Sequence, residues 1–274
     1  MRAWVGNWLI ADVDTPAISV LDHGLTVGDG VFETVKAVRG QPFALTRHLR
    51  RLTVSAAGLG LAAPDLDLVR HAVGAVLDAP VDEVVRVRIT WTAGPGRLGS
   101  DRDGSEQGTL VVIASDAVSR ADSVAVATVP WPRNERSAVS GLKTTSYAEN
   151  VVALAAAHAA GASEAVFGNT RGELCEGTGS NICYVVDGEV RTPSLGSGCL
   201  AGVTRALVLK WCDVVERDAP VEVLAHADEV FLVGTTRDVQ PVHRVDSRDL
   251  GPPGPLTRKV MATWAERVAV EVDP

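Results

Sequence analysis

The feature that most constrains the fold is a strictly alternating segment at residues 84–91. Apolar side chains alternate there with polar ones: Val85, Val87, Ile89 and Trp91 against Arg86, Arg88 and Thr90. Because neighbouring side chains of a β-strand point to opposite faces, this pattern predicts a half-buried strand. A second strand is predicted at residues 31–38, after the turn Gly28-Asp29-Gly30.

Segments with helical spacing are interspersed with strands in both halves of the chain. The spacing of Leu45, Leu49, Leu52 and Ala56 predicts a helix over residues 45–59. Further helices are predicted at 66–77, 147–160, 203–216 and 256–268, and further strands at 109–114, around 166, and at 181–186, 190–192 and 229–233. The class is α+β with two domains, at residues 1–116 and 123–274, joined by a polar linker at 117–122.

Composition and charge exclude several classes of protein. Of the 274 residues, 46% are hydrophobic and 22% are charged, which is typical of a soluble globular protein. The net charge of -8 argues against binding to nucleic acids or to anionic membranes. No apolar run is long enough for a spanning helix and no signal peptide is visible, so a cytoplasmic protein is expected.

The four cysteines are interpreted as reduced thiols. Cys175, Cys183, Cys199 and Cys212 form no Cys-x-x-Cys pair. This spacing in a cytosolic chain favours neither a disulfide framework nor a zinc site, and no metal is expected.

Two motifs carry groups that could react with a planar ligand. Lys143 lies between a loop and an apolar helix, where desolvation would lower its pKa and make the amine a nucleophile toward aldehydes. Glu176 opens the sequence Glu-Gly-Thr-Gly-Ser-Asn, whose glycines allow close approach of the backbone to a ligand. A carboxylate there could hold a pyridinium proton. Each motif alone also fits an ordinary solvated side chain.

Two further motifs could bind a phosphate. Gly202 opens a helix within Leu-Ala-Gly-Val-Thr-Arg, and a helix N-terminus attracts anions, with Thr204 adding a hydroxyl donor. Residues 234–242 form a predicted polar turn after a strand, where Thr235 adds another hydroxyl. Together with the lysine and the carboxylate, these are the groups that pyridoxal 5′-phosphate requires.

The order and spacing of these motifs resemble the class IV, or fold-type IV, pyridoxal-phosphate aminotransferases. This family includes branched-chain and D-amino-acid aminotransferases, (R)-amine transaminases and aminodeoxychorismate lyases. The resemblance covers almost the whole chain and rests on Gly28-Asp-Gly-Val-Phe-Glu33, His48-Leu-Arg-Arg-Leu52, the Glu-x-Thr-x-x-Asn block, Val190-Arg-Thr192, Leu200-x-Gly-Val-x-Arg205 and Pro241-Val242. It implies a small N-terminal α/β domain and a larger C-terminal domain with a pseudo-barrel. Cys183 departs from the aromatic residue usual in the family, at a packing position.

The resemblance also implies roles for individual residues. Lys143 resembles the Schiff-base lysine that shuttles the proton, and Glu176 the partner of the pyridine nitrogen. The remaining cofactor contacts are implied for Arg51, Val203, Thr204 and Thr235 at the phosphate and for Tyr147 at the 3′-oxygen.

The substrate side is less complete. Thr236 and Arg237 lie where branched-chain enzymes use backbone amides for the substrate carboxylate, whereas D-amino-acid enzymes use side chains of a long loop and a strand tyrosine. Here the loop at 94–108 offers Arg97, and Phe32 stands in place of the tyrosine. Either Arg97 or Arg237 could bind the carboxylate. The resemblance implies a site between the domains that takes this loop from a second subunit, and hence a homodimer.

The leading hypothesis is a transaminase that moves an amino group from a D-amino acid or (R)-amine to an α-keto acid. The alternative is a 4-amino-4-deoxychorismate lyase that forms 4-aminobenzoate and pyruvate for folate synthesis, which the Gly-Pro-Gly-x-Leu-Gly-Ser loop at 94–100 supports. A branched-chain L-amino-acid aminotransferase is third. A cofactor-free binding protein on the same fold is disfavoured by the presence of the lysine, the glutamate and the phosphate-site residues.

Overall fold

The computed structural model describes residues 1–78, 84–102, 107–116 and 121–274. The chain divides into two compact units. Unit 1 comprises Met1–Ser119, Leu142–Tyr147 and Val272–Pro274, and unit 2 comprises Arg120–Gly141 and Ala148–Glu271. Part of the predicted linker, residues 117–120, lies outside the described residues.

Two short segments that the sequence analysis placed in the second domain group with unit 1. The backbone N–H of Phe32 donates to the carbonyl of Lys143 at 2.9 Å, and the N–H of Ala44 donates to the carbonyl of Val272 at 2.8 Å. These are hydrogen bonds between residues far apart in sequence, so no local pattern signals them.

Unit 1 contains an antiparallel sheet with the strand order β2-β1-β6-β5-β3-β4 in its described part. The strands are β1 (Arg2–Val5), β2 (Trp8–Ile10), β3 (Gly30–Val38), β4 (Gln41–Pro42), β5 (Val84–Thr92) and β6 (Thr109–Asp116). Strands β3 and β5 confirm the strands predicted at residues 31–38 and 84–91. Phe32 lies opposite Thr90, and Thr34 lies opposite Arg88.

The described part of unit 1 also contains three helices. They are α1 (His23–Thr26), α2 (Leu45–Gly58) and α3 (Leu66–Leu77), and the latter two confirm predicted helices. Helices α2 and α3 pack on the apolar face of the sheet. Leu49 and Leu52 of α2 are completely buried with Ile89 of β5 and Val73 of α3 in one apolar cluster. Asp65 precedes α3 as its N-cap, and its carboxylate accepts the backbone N–H groups of Asp67 and Leu68.

Unit 2 contains a larger mixed sheet with the order β12-β11-β10-β13-β14-β7-β8-β9 in its described part, and β15 pairs with β14. The strands are β7 (Val124–Thr128), β8 (Glu164–Gly168), β9 (Leu174–Gly177), β10 (Asn181–Val186), β11 (Glu189–Thr192), β12 (Val215–Glu216), β13 (Glu229–Gly234), β14 (Asp238–Val245) and β15 (Arg248–Asp249). The helices are α4 (Ala148–Ala159), α5 (Val203–Trp211) and α6 (Pro255–Val270), with 3₁₀ turns at Leu195–Ser197 and Val221–Ala225. The predicted α+β class is confirmed. No helix in the described ranges is long and apolar enough to cross a membrane.

Two predictions of local structure are wrong. The helix predicted to end at residue 216 ends at Trp211, because Cys212 adopts an extended conformation and Val215 pairs with β11 in a parallel strand. The segment at 234–242 is not a turn throughout, since strand β14 begins at Asp238. The strand was not predicted because Gln240 is a polar residue in its centre. In the structure the Gln240 side chain is buried, and its amide donates to the carbonyl of Ala121 at 2.8 Å.

The cysteines of unit 2 are all free. Cys175, Cys183 and Cys199 are buried, and Cys212 is half-buried. Burial raises the pKa of the Cys183 thiol to about 12. Cys183 therefore behaves as a small apolar side chain of the core.

Candidate active site

Lys143 lies in a short segment that is docked on strand β3 and helix α2. Its carbonyl accepts the N–H of Phe32 at 2.9 Å, and its own N–H donates to the hydroxyl of Ser55 at 3.1 Å. The N–H of Thr145 donates to the carbonyl of Gly30 at 2.8 Å. Because a sheet and a helix both hold this backbone, the Lys143 side chain projects from a rigid support.

The amine of Lys143 lies against two aromatic rings. Its Nζ is 4.3 Å from the ring centroid of Phe32 and 5.8 Å from that of Tyr147. The two rings meet edge to face with their centroids 5.2 Å apart. Aromatic faces attract a cation and restrict where it can move. The structure thus brings together three residues that the sequence analysis named.

Arg88 was not predicted as a site residue, yet its guanidinium lies on the same Phe32 ring. Its Cζ is 3.7 Å from the ring centroid of Phe32, and its Nε donates to the Thr90 hydroxyl at 3.3 Å. Burial lowers the pKa of its guanidinium. The alternation at residues 84–91 predicts only that Arg88 lies on the face opposite to the apolar side chains. The pairing of Thr34 with Arg88, which puts Arg88 on the face of Phe32, is known from the structure alone, since opposed residues share a face. A half-buried guanidinium near Lys143 is suited to bind a carboxylate.

Arg51, the predicted phosphate ligand, is held by a completely buried carboxylate. Its Nε and Nη2 donate to the two oxygens of Glu33, both at 2.7 Å, and His48 Nδ1 lies 2.6 Å from Glu33 Oε2. Burial alone would raise the pKa of Glu33, but the charge of Arg51 and hydrogen bonds from Arg51 and His48 lower it to about 2. Glu33 therefore stays ionised and orients the guanidinium of Arg51.

Glu176 lies in strand β9 of unit 2. Its Oε2 accepts the N–H of Leu200 at 2.9 Å, and its Oε1 lies 3.4 Å from Nε of Arg133. One hydrogen-bond donor and one cation favour an ionised carboxylate. This is the form that can accept a hydrogen bond from a protonated ring nitrogen.

Asn181 joins the Glu176 motif to the start of helix α5. Its Nδ2 donates to the carbonyl of Leu200 at 2.9 Å, and a Cβ on Gly202 would lie 2.0 Å from its Oδ1. Gly202 precedes α5 without a side-chain capping bond, so Val203 and Thr204 form an uncapped helix start. The first N–H groups and the positive dipole end of such a helix favour an anion. The predicted role of these two residues is consistent with this geometry and stays a prediction.

Thr235, Thr236 and Arg237 lie in the turn between β13 and β14. The guanidinium of Arg237 is ion-paired with the buried Glu164 and donates to Oε1 of Gln240 at 2.5 Å. A substrate carboxylate would therefore compete with Glu164 for Arg237.

Arg97 lies on the long loop of unit 1, and its side chain is exposed. The loop is anchored by other groups. His23 Nε2 donates to the carbonyl of Arg97 at 2.8 Å, and Arg102 forms two hydrogen bonds with the Asp29 carboxylate at 2.6 and 2.5 Å. Residues 103–106 of the predicted loop lie outside the described residues.

The chemistry of these side chains fits a phosphorylated pyridine aldehyde. Unit 1 holds an amine at Lys143 and a guanidinium at Arg51. Unit 2 holds a carboxylate at Glu176, an uncapped helix start and the hydroxyls of a threonine turn. An aldehyde, a ring nitrogen and a phosphate need these donors and acceptors. Within the described ranges, no group of three or more His, Cys, Asp or Glu side chains could hold a metal ion.

Comparisons with known proteins agree with this chemistry. A family model described as amino-transferase class IV matches residues 30–245. A protein of Methanocaldococcus jannaschii named "Putative branched-chain-amino-acid aminotransferase" is 32% identical over 268 residues, which cover 93% of this chain and 92% of that protein. A D-alanine aminotransferase of Listeria monocytogenes is 28% identical and covers 98% of this chain and 96% of its own.

A solved structure shows the same architecture. A fold IV-transaminase from Curtobacterium pusillum superposes with a TM-score of 0.85 at 29% identity, covering 96% of this chain and 92% of that one.

Proposed function

Because the chain belongs to the class IV aminotransferases, which are pyridoxal-phosphate enzymes acting on amino and keto acids, we propose that it transfers the amino group of a D-amino acid or (R)-amine to an α-keto acid. When bound, the cofactor withdraws electrons from the donor Cα, so that its proton can leave. The finer assignment of the donor depends on the groups that this chain offers to a carboxylate.

In this proposal each residue keeps the role that its motif implies. The amine of Lys143 would hold the cofactor aldehyde and, once the donor amine has replaced it there, would carry the proton away from Cα. Glu176 accepts a hydrogen bond from the ring nitrogen. The phosphate is bound by Arg51, Val203, Thr204 and Thr235, and the 3′-oxygen by Tyr147.

The observation that supports a D-amino acid most directly is the position of Arg88. Its guanidinium and the Lys143 amine contact the same Phe32 ring, at 3.7 and 4.3 Å from the centroid. Arg88 lies on strand β5 and not on the long loop that D-amino-acid enzymes use, but it likewise offers a side chain to the carboxylate, whereas branched-chain enzymes offer backbone amides. Arg97 and Arg237 remain candidates for the same role, although Arg237 is already paired with Glu164.

A half-reaction screen tests the proposed donor. Holoenzyme is mixed with D-alanine, L-leucine, an (R)-amine or an (S)-amine, and the visible absorbance of the bound cofactor is followed. We expect the band to disappear with D-alanine and to return when 2-oxoglutarate is added. Lys143→Ala, incubated with the cofactor, is the matched control without turnover. Loss of the band with L-leucine and not with any D-amino acid or (R)-amine would refute the proposed donor.

A branched-chain L-amino-acid aminotransferase is the second candidate. It is favoured by the relative from Methanocaldococcus jannaschii, which is 32% identical and carries that description. In this case the backbone amides of Thr236 and Arg237 would bind the carboxylate. The lyase alternative gives a third outcome, because pyruvate would form from aminodeoxychorismate without any amino acceptor.

We further propose that the enzyme is a homodimer. Unit 1 exposes large apolar side chains at its N-terminal segment, among them Val20 at 78% and Leu25 at 68% exposure. Exposed apolar side chains of this kind support an interface with a second subunit. Arg97 would act in the partner subunit. Mixed dimers of Lys143→Ala and Arg97→Ala chains should then regain activity that neither parent has. A monomer in solution, or no regain on mixing, would contradict this arrangement.

A further inference from the structure

The charged side chain of Arg133 faces Glu176 within unit 2. The Nε of Arg133 is buried, has no hydrogen-bond partner among the described residues and lies 3.4 Å from Oε1 of Glu176. The opposite side of the guanidinium is occupied. Its Nη1 donates to Oδ1 of Asn150 at 3.0 Å and is ion-paired with Glu149, whose side chain is 48% exposed.

Strand β8 holds Arg133 in this orientation. The guanidinium stacks on Phe167, with Cζ 4.2 Å from the ring centroid, and the backbone N–H of Arg133 donates to the carbonyl of Gly168 at 2.8 Å. Only 17% of the Arg133 side chain is exposed. Stacking on an aromatic face restricts the guanidinium, so the direction of Nε is set by packing.

We propose that Arg133 is a positioning residue for Glu176. Its charge keeps the carboxylate ionised, and its Nε sets the direction of Oε1. An opposite charge within about 4–6 Å favours the ionised form of a carboxyl group. The backbone N–H of Leu200, which donates to Oε2 of Glu176, also favours the ionised carboxylate. The inference rests on the proposed function, in which Glu176 accepts a hydrogen bond from the protonated ring nitrogen.

Arg133 also supports the backbone that follows Glu176. Asn150 accepts Nη1 of Arg133 and donates its own Nδ2 to the carbonyl of Thr178 at 2.6 Å. Loss of the guanidinium therefore affects the carboxylate and the next turn together. A merely structural role would lower folding stability alone. A positioning role would also change the proton affinity of the bound cofactor.

The test compares holoenzymes of Arg133→Met, Arg133→Gln and Arg133→Lys with Glu149→Gln as a matched control. The control removes the exposed partner of the same guanidinium and leaves Glu176 untouched. The readouts are the dissociation constant for pyridoxal phosphate and a pH titration of its visible band. That titration reports the proton held between Lys143 and the cofactor.

We expect both neutral variants to raise the midpoint of the titration by about one pH unit, a tenfold change in proton affinity. The reason is that the ring nitrogen loses its positive charge when Glu176 is no longer held ionised. The dissociation constant should rise about tenfold as well. Arg133→Lys should stay closer to the wild type because it keeps the charge, and Glu149→Gln should match the wild type.

Unchanged midpoints in both neutral variants, or an equal shift in Glu149→Gln, would overturn the inference. Glu176→Gln separates this failure from that of the proposed function. If Glu176→Gln changes the midpoint and the neutral Arg133 variants do not, only the inference on Arg133 fails. If Glu176→Gln changes neither readout, the proposed role of Glu176 fails. Arg133→Met should add little to Glu176→Gln in a double variant, and fully additive effects would contradict the coupling.

Discussion

Replacing Glu33 by glutamine tests whether a buried carboxylate holds the predicted phosphate arginine. Both oxygens of Glu33 are bonded to Arg51, and one also contacts His48. Glutamine keeps the size of the side chain and removes its charge. Arg51 would then lose the buried carboxylate that both of its donors contact, which is the costly half of breaking a buried pair.

The magnitude follows from the pKa of Glu33, which is lowered from 4.5 to about 2 in the folded chain. Each pKa unit corresponds to about 1.4 kcal/mol, so ionised Glu33 contributes about 3 kcal/mol to the free energy of unfolding at neutral pH. Because the folded-state pKa is the lower one, this contribution is complete above pH 4.5 and is lost as the pH falls from 4.5 towards 2. Removing one partner of a buried pair typically costs about 3–5 kcal/mol, which agrees.

Denaturant unfolding of the apo protein, followed by circular dichroism between pH 7 and pH 3, measures this effect. We expect Glu33→Gln to lower the free energy of unfolding by about 3 kcal/mol at pH 7, with the difference shrinking below pH 4.5. Glu271→Gln is the control, because its surface pair with Arg267 spans 3.8 Å and should contribute less than about 1 kcal/mol. A loss below about 1 kcal/mol at pH 7, or a difference that does not shrink in acid, would refute the reasoning.

Three further predictions test the core and the site, the first with a control substitution. Leu52→Ala should lower the free energy of unfolding by about 2–5 kcal/mol because Leu52 is completely buried. Val54→Ala, at a position that is 58% exposed, is the control and should change it by less than about 0.5 kcal/mol. Equal effects of the two substitutions in denaturant unfolding would contradict the packing. Gly202→Ala should weaken pyridoxal-phosphate binding at least about tenfold in equilibrium dialysis, because the new Cβ would lie 2.0 Å from Oδ1 of Asn181. Unchanged binding would show that the start of helix α5 can move to make room for the Cβ. Arg88→Met should raise KM in steady-state assays about tenfold or more for donors with a carboxylate, and much less for an amine without one. An equal rise in KM for both kinds of donor would exclude carboxylate binding by Arg88.

Local patterns were sufficient for the elements whose faces are regular. The alternation at residues 84–91 predicted β5, and leucine spacing predicted α2, because each has one buried face. Local patterns failed where pairing between distant strands decides the structure. Val215 was predicted to lie in the helix at residues 203–216, but it pairs with Arg191 in a parallel strand.

The site follows the same division. Lys143 and Glu176 were predicted because their motifs occur together in the order and spacing of the class IV aminotransferases, although each motif alone also fits a solvated side chain. Arg88 and Arg133 were not named as site residues, since their significance depends on what lies across a strand or beside a carboxylate. Such contacts join residues far apart in the chain, and a single sequence does not reveal them.

The central claim is that the cofactor is attached covalently at one position, Lys143. Holoenzyme treated with borohydride and digested should show, by mass spectrometry, the reduced cofactor on the peptide that contains Lys143, and Lys143→Ala should show none. Attachment at Lys36 instead, or unmodified Lys143 in an enzyme that still turns over, would contradict the account.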